Sequence, residues 1–193
     1  MNKSLFKFSA LALAAAVMAG CSSKKDVTKE EFFQPCEFVA GVAAPEWYCN
    51  PEIEGGFAAV GEAKPNAARD NNLQRTMAMA NGRDALARDI EVKVQSMLTN
   101  WARVTGEGEA QTYESNFENV SRQVSRQSLE GSRQLKRWLA PDGTLVLLVG
   151  VTNNNPIKNT LKTSLRNEEA LWQQFQSKQA LDELDKQLNA AFD

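Results

Sequence analysis

Cys21 is the side chain of this 193-residue chain best placed to do chemistry. Its thiol follows two small residues, Ala19 and Gly20, of the kind a signal peptidase groove accepts. Lys3 and Lys7 give the preceding segment a positive start, and Ala10 to Val17 form a short apolar run. That run falls well under the roughly 20 residues needed to cross a bilayer. These are the parts of a secretory signal, with a nucleophilic cysteine at its end. The plainer alternative is an ordinary signal peptide followed by a chance cysteine.

Met18-Ala19-Gly20-Cys21 resembles the lipobox of bacterial lipoproteins. Met18 departs from the Leu, Val or Ile usual there, but it is close to them in volume and apolarity. The resemblance implies cleavage after residue 20, lipidation of the Cys21 thiol and acylation, palmitate included, of the new N-terminus. Three chains exceed the two signals that stable anchoring requires. Ser22, in place of an aspartate at the second mature position, implies export to the outer membrane of a Gram-negative envelope. The domain would then sit on either the periplasmic or the external face.

The remaining cysteines are Cys36 and Cys49. In an oxidising compartment two such cysteines read as one disulfide. The closed loop of about 14 residues would contribute roughly 3 kcal/mol. A metal pair is the alternative, although no third or fourth ligand is evident. Histidine is absent, which removes Ser-His-Asp and Cys-His catalysis and His-ligated zinc. No cofactor motif is present.

Other groups carry weaker chemical signals. Glu168-Glu169, Asp182-Glu183 and Glu107 with Glu109 are carboxylate pairs, but general acid/base work needs two groups converging in one pocket. Those on the last helix read as a solvated face, as does Asp185. Gly61-Glu62-Ala63 lacks the glycines and Lys-Ser/Thr of a phosphate loop and reads as a tight strand-to-helix turn. Arg122, Arg126, Arg133, Lys136 and Arg137 could meet anionic headgroups or glycan, or simply face solvent. Trp47 and Tyr48 read as packing over the disulfide, with an exposed binding patch as the alternative. Trp172 and Phe175 are either core or an oligomer contact. No nucleophile–base pair is visible, so the chain does not read as an enzyme.

Without Lys3 and Lys7, 20 basic residues face 24 acidic ones, a balance of about −4. That gives no basic field for nucleic acid. The mature length is enough for one domain with a real core.

The elements that must position these residues follow. Residues 21–35 are polar with mixed charge, a flexible tether reaching roughly 40 Å if fully extended. Pro45 to Pro51 should be extended or turned rather than helical. Phe57–Ala63 reads as a strand, and Pro65 and Asn66 open a helix to about Asp89. Leu73, Met77, Ala80 and Ala87 share one of its faces, with Met79, Leu86 and Ile90 beside them. Ile90, Val92, Val94 and Leu98 then alternate with polar residues as a half-buried strand, ended by Gly106 to Gly108. Tyr113, Phe117, Val120 and Val124 mark an amphipathic helix. Two strands follow, about residues 128–139 and 145–152, joined by the turn Pro141-Asp142-Gly143. Leu145 to Val149 lacks polar alternation, so it should be central and buried on both faces. From Leu161 the chain reads as one long helix of about 45 Å, with a kink near residues 176–179. The order β-α-β-α-β-β-α predicts one α+β domain, a small mixed sheet with helices on one face, over residues 36–152. A loop and C-terminal helix occupy 153–193.

Several elements together resemble the Lpp-twenty-type family of small outer-membrane lipoproteins. They are Pro45-x-Trp47-x-x-Asn50-Pro51, Val60-Gly61-Glu62-Ala63, Asp84-Ala85-Leu86-Ala87-Arg88, Ile90-x-Val92-x-Val94, and the hairpin from Gly131 through Trp138 and Gly143 to Leu148-x-Gly150-Val151. Gly82 departs from the alanine usual in that helix. The resemblance implies an α+β domain held at the outer membrane, without known enzymatic activity. Some family members are structural lipoproteins of the flagellar motor, and others are surface antigens.

The expected role is therefore a membrane-anchored scaffold that self-associates or docks on an envelope assembly such as the flagellar motor. The alternative is a lipid-anchored binding module for a small amphiphile or glycan, which would need an apolar pocket with a few polar groups. If the core is complete before Asn153, then Leu181, Leu184, Leu188 and Ala191 form a seam that calls for a second copy.

Overall fold

The computed structural model describes residues 35–106 and 113–192. The signal, Cys21, the tether up to Gln34, and Glu107 and Glu109 lie outside the described residues. The chain opens with a small hairpin, β1 (Glu37–Val39) and β2 (Val42–Ala43), and a one-turn helix α1 (Glu46–Cys49). Next come β3 (Phe57–Ala63), α2 (Asn71–Thr105), α3 (Glu114–Leu129), β4 (Arg133–Leu139) and β5 (Leu145–Val151). Three helices end it: α4 (Asn155–Asn167), α5 (Glu169–Phe175) and α6 (Lys178–Phe192).

The α+β class is the one the sequence predicts, and all three of the larger sheet's strands are antiparallel rather than mixed. Their order is β3-β5-β4. β5 is central and buried at every residue, as its unbroken apolar run requires. It pairs with β3 from Phe57↔Val151 to Ala63↔Leu145. A bulge between Gln134 and Lys136 interrupts its pairing with β4. Asp142 closes the β4–β5 turn by accepting hydrogen bonds from the Thr144 backbone N–H (2.8 Å) and hydroxyl (2.9 Å).

α2 departs most from the sequence reading. Ile90 to Leu98 is not a strand but the middle of a 35-residue helix. Ile90 and Val94 lie four residues apart, a spacing common to a strand face and a helix face. Val92 decides between them, because it is 62% exposed while both neighbours in the alternation are fully buried. The buried stripe runs Gln74, Ala78, Gly82, Leu86, Ile90, Val94, Leu98 and Trp101. The helix face expected from Leu73 and Met77 is one position off; those two are 47% and 48% exposed. The helix begins at Asn71, not at Pro65 or Asn66. Asp70 caps it, its carboxylate accepting from the Asn72 and Leu73 backbone N–H groups. Gly106, at φ +66°, ends it in the left-handed conformation open to glycine.

α2 crosses β3 and β5 closely. Gly61 is not in a turn; it lies within β3, at the crossing point with α2. Gln74 ties the start of α2 to the sheet, donating to the carbonyls of Ala63 (2.9 Å) and Gly143 (2.8 Å). α3 buries Phe117, Val120 and Val124, the pattern the sequence predicts. The Ser125 hydroxyl donates to the Ala87 carbonyl and locks α3 onto α2.

The last fifth of the chain is three helices rather than one; the kink expected near residues 176–179 is present, and a second break precedes it. Breaks fall at Glu168, whose backbone is extended, and around Gln176–Ser177. They fold the segment back onto the core. Ile157, Leu161, Leu165, Leu171, Phe175, Ala180, Leu184, Leu188 and Phe192 join one cluster with α2, α3 and the facing side of the sheet. The core is therefore not complete before Asn153, and Leu184 and Leu188 are covered by their own chain.

Candidate functional site

Two regions gather side chains beyond what packing of regular elements demands. The first is an N-terminal clasp. Cys36, just before β1, and Cys49, at the end of α1, form a disulfide with Cα atoms 5.8 Å apart. The residues it brackets form β1, β2 and α1, so the segment from Pro45 to Pro51 is not extended throughout. Pro45 caps one helical turn and Pro51 follows its end. The rings of Phe38 and Tyr48 lie 5.7 Å apart, and both meet Trp138 of β4, at 5.5 and 6.2 Å. Trp138 pairs in register with Val146. Val146 and Leu148 point away from the helical face, yet both are fully buried. Helices thus cover one sheet face, and the clasp serves the other. Tyr48 packs against Phe38 and Trp138, and its hydroxyl donates to Glu62 of β3. Burial first, then the Glu62 hydrogen bond and charge, push the Tyr48 phenol above its ordinary 10.0. Trp47 is half-buried and belongs to no ring pair among the described residues.

The second region is a pocket formed where α4, α5 and α6 meet the end of α2. Its cavity measures about 150 Å³. The walls are Leu165, Leu171, Trp172, Phe175, Leu181 and Leu184, with Trp101 behind them. Trp101 is held rigidly, its indole N–H donating to the Ala180 carbonyl at 2.8 Å and its ring 4.6 Å from Phe175. Phe175 is core. Trp172 is half-buried, with the Arg166 guanidinium 5.9 Å over its ring. Lys162 and Asp185 pair at 2.6 Å at the rim. Sequence reasoning misses this pocket, because it places no break near Glu168, and a helix kinked only near residues 176–179 does not enclose it. The one available signal was the polar run at 176–179.

The other candidate groups do not converge. Glu169 accepts from Gln173, and Glu183 accepts from Gln187 and Lys186. The Gln187 hydrogen bond, with smaller help from Lys186, lowers the Glu183 carboxyl below its ordinary range against a small desolvation. Glu168 sits at the break between α4 and α5, and Asp182 is exposed on α6. Of the cationic group, Arg122 pairs with Glu118 and Arg133 donates to Thr152. Arg126 is exposed on α3, while Lys136 and Arg137, adjacent on β4, project to opposite faces. They form no single anion-binding surface. Among the described residues, no group of three or more Cys, Asp or Glu could hold a metal ion, and no helix is long and apolar enough to cross a membrane.

The family model of the LPP20 lipoproteins matches residues 45–152, from the start of α1 to the end of β5. The clasp's first half and the C-terminal pocket helices fall outside that span. No curated protein and no solved structure matches the chain.

Proposed function

This chain belongs to the LPP20 lipoprotein family, and from that premise we propose that it is a structural lipoprotein of the outer membrane. In this reading Cys21 carries the lipid, residues 21–35 are the tether, and the domain self-associates or docks on an envelope assembly. The flagellar motor is the assembly to test first. The supporting observation is the clasp. Where the chain leaves the tether, a disulfide closes the clasp on itself, and the rings of Phe38 and Tyr48 hold it against Trp138 of the central sheet. A pull on the anchor would thus reach the sheet through a covalently closed clasp rather than through a fraying terminus. Such a joint suits a part that holds position under load.

The test follows the tagged protein by membrane fractionation and in whole cells, with and without flagellar genes. Wild type should enter the outer-membrane fraction, and Cys21→Ser should leave an uncleaved or soluble form. Assembly on the motor requires foci that vanish when the flagellar genes are deleted. Uniform distribution in both strains would remove the motor from the reading. An unmodified Cys21 in the wild-type membrane fraction would remove the anchor.

A further inference from the structure

We propose that the pocket among α4, α5 and α6 binds a small organic anion carrying one compact apolar group. Its walls, Leu165, Trp172, Leu181 and Leu184 among them, are apolar. An apolar cavity of roughly that size holds a single benzene ring. It is too small for the long acyl chain of a lipid or for a sugar chain, but not for a short chain of about six carbons. The opening, by contrast, is charged. Lys162 and Arg166 are one helical turn apart on α4, and both line the pocket. Asp185 is the one carboxylate there, so the rim carries a net charge of +1. A hydrocarbon group inside would place its head at these cations. A carboxylate or phosphate head complements them, and an ammonium head would be repelled.

Lys162 is free to change partner. Its side chain is 40% exposed and that of Asp185 57%. An ion pair so wet contributes little, so an incoming anion can share or replace Asp185 at small cost. Arg166 over Trp172 places a second donor group at the mouth. Apart from Trp101, the lining lies beyond residues 45–152, the segment that the family model matches. It stands independently of the scaffold reading.

The experiment uses the full lipidated chain in nanodiscs and 6-bromohexanoate, whose bromine quenches tryptophan on contact. Trp101 and Trp172 report from the pocket. The bromohexyl alcohol and amine carry the same chain with other heads. The acid should quench saturably and bind about fivefold more tightly than the alcohol, with the amine weakest. Asp185→Asn should tighten the acid about two- to fivefold and leave the alcohol unchanged. The double change Lys162→Gln, Arg166→Gln should bring the acid to the alcohol's level. Leu181→Phe, which narrows the cavity, should weaken saturable binding of acid and alcohol alike by about fivefold or more while circular dichroism stays native. Equal affinity for all three heads would overturn the anion assignment, as would an Asp185→Asn protein that binds the acid no better. Quenching that does not saturate, or an affinity undiminished in a folded Leu181→Phe protein, would overturn the site.

Discussion

Gly61 of β3 and Gly82 of α2 meet backbone to backbone: a Cβ on Gly61 would lie 2.6 Å from the Gly82 Cα. It would also fall 2.1 Å from the Ala78 carbonyl oxygen and 2.3 Å from the Gly82 nitrogen. A side chain on Gly82 would meet Val149 Cγ2 at 2.6 Å. Gly82 is therefore where helix and sheet touch.

Substitutions at this crossing should differ in size. Gly61→Ala drives a methyl into main-chain atoms that cannot rotate away, so it should cost about 3 kcal/mol or more, the top of the overpacking range. Gly82→Ala gains about 1 kcal/mol of helix propensity. Against this stands an overpacking cost of about 1–3 kcal/mol against the stiff Val149 side chain. The net should be destabilising by about 1 kcal/mol. Urea titrations of the two proteins would show the ranking; a more stable Gly82→Ala would mean that Val149 yields freely.

The clasp should depend on its disulfide. Replacing Cys36 and Cys49 by serine should lower stability by about 3 kcal/mol, as for a closed loop of this length. The emission of Trp138 should then move to the red as Phe38 and Tyr48 leave its ring. Thiol titration of the denatured, unreduced mature protein should find neither cysteine free.

α6 should behave as core. Leu184→Ala and Leu188→Ala should each cost about 2–5 kcal/mol. Deleting residues 180–193 uncovers Trp101 and Phe175, so the remainder should lose cooperative melting. A truncated protein that melts cooperatively at the wild-type temperature would show that the helix is an appendage.

Alkali should loosen the clasp. Because the folded state holds the Tyr48 proton more tightly than the unfolded chain does, its contribution is fully present below pH 10.0. It is lost as pH rises through the raised folded value, when phenolate and Glu62 repel. Tyr48→Phe should flatten this alkaline decline in a plot of denaturation midpoint against pH. An unaltered decline would assign it to other groups.

Much of the architecture was legible residue by residue. Phe57–Ala63, the α3 stripe from Phe117 to Val124 and the β4–β5 turn at Pro141-Asp142-Gly143 all lie where local pattern places them. Each is set by contacts between near neighbours in sequence. β5 declared its central place because an unbroken apolar run has no solvent side. The Cys36–Cys49 pairing needed only an oxidising compartment and the count of cysteines left over.

Tertiary structure decided the rest. Ile90 and Val94 satisfy the helical and the extended period alike, so the sheet and α3 around α2 made the choice that pattern could not. Gly61 reads locally as a turn, and only the crossing helix explains the missing side chain. The C-terminal residues follow a helical period that falters at 176–179, but where they bend depends on Trp101, some 80 positions earlier, which packs its ring on Phe175 and donates its indole N–H to the Ala180 carbonyl. The same bend encloses the pocket. A cavity is a relation between distant segments, and no run of neighbouring residues encodes it.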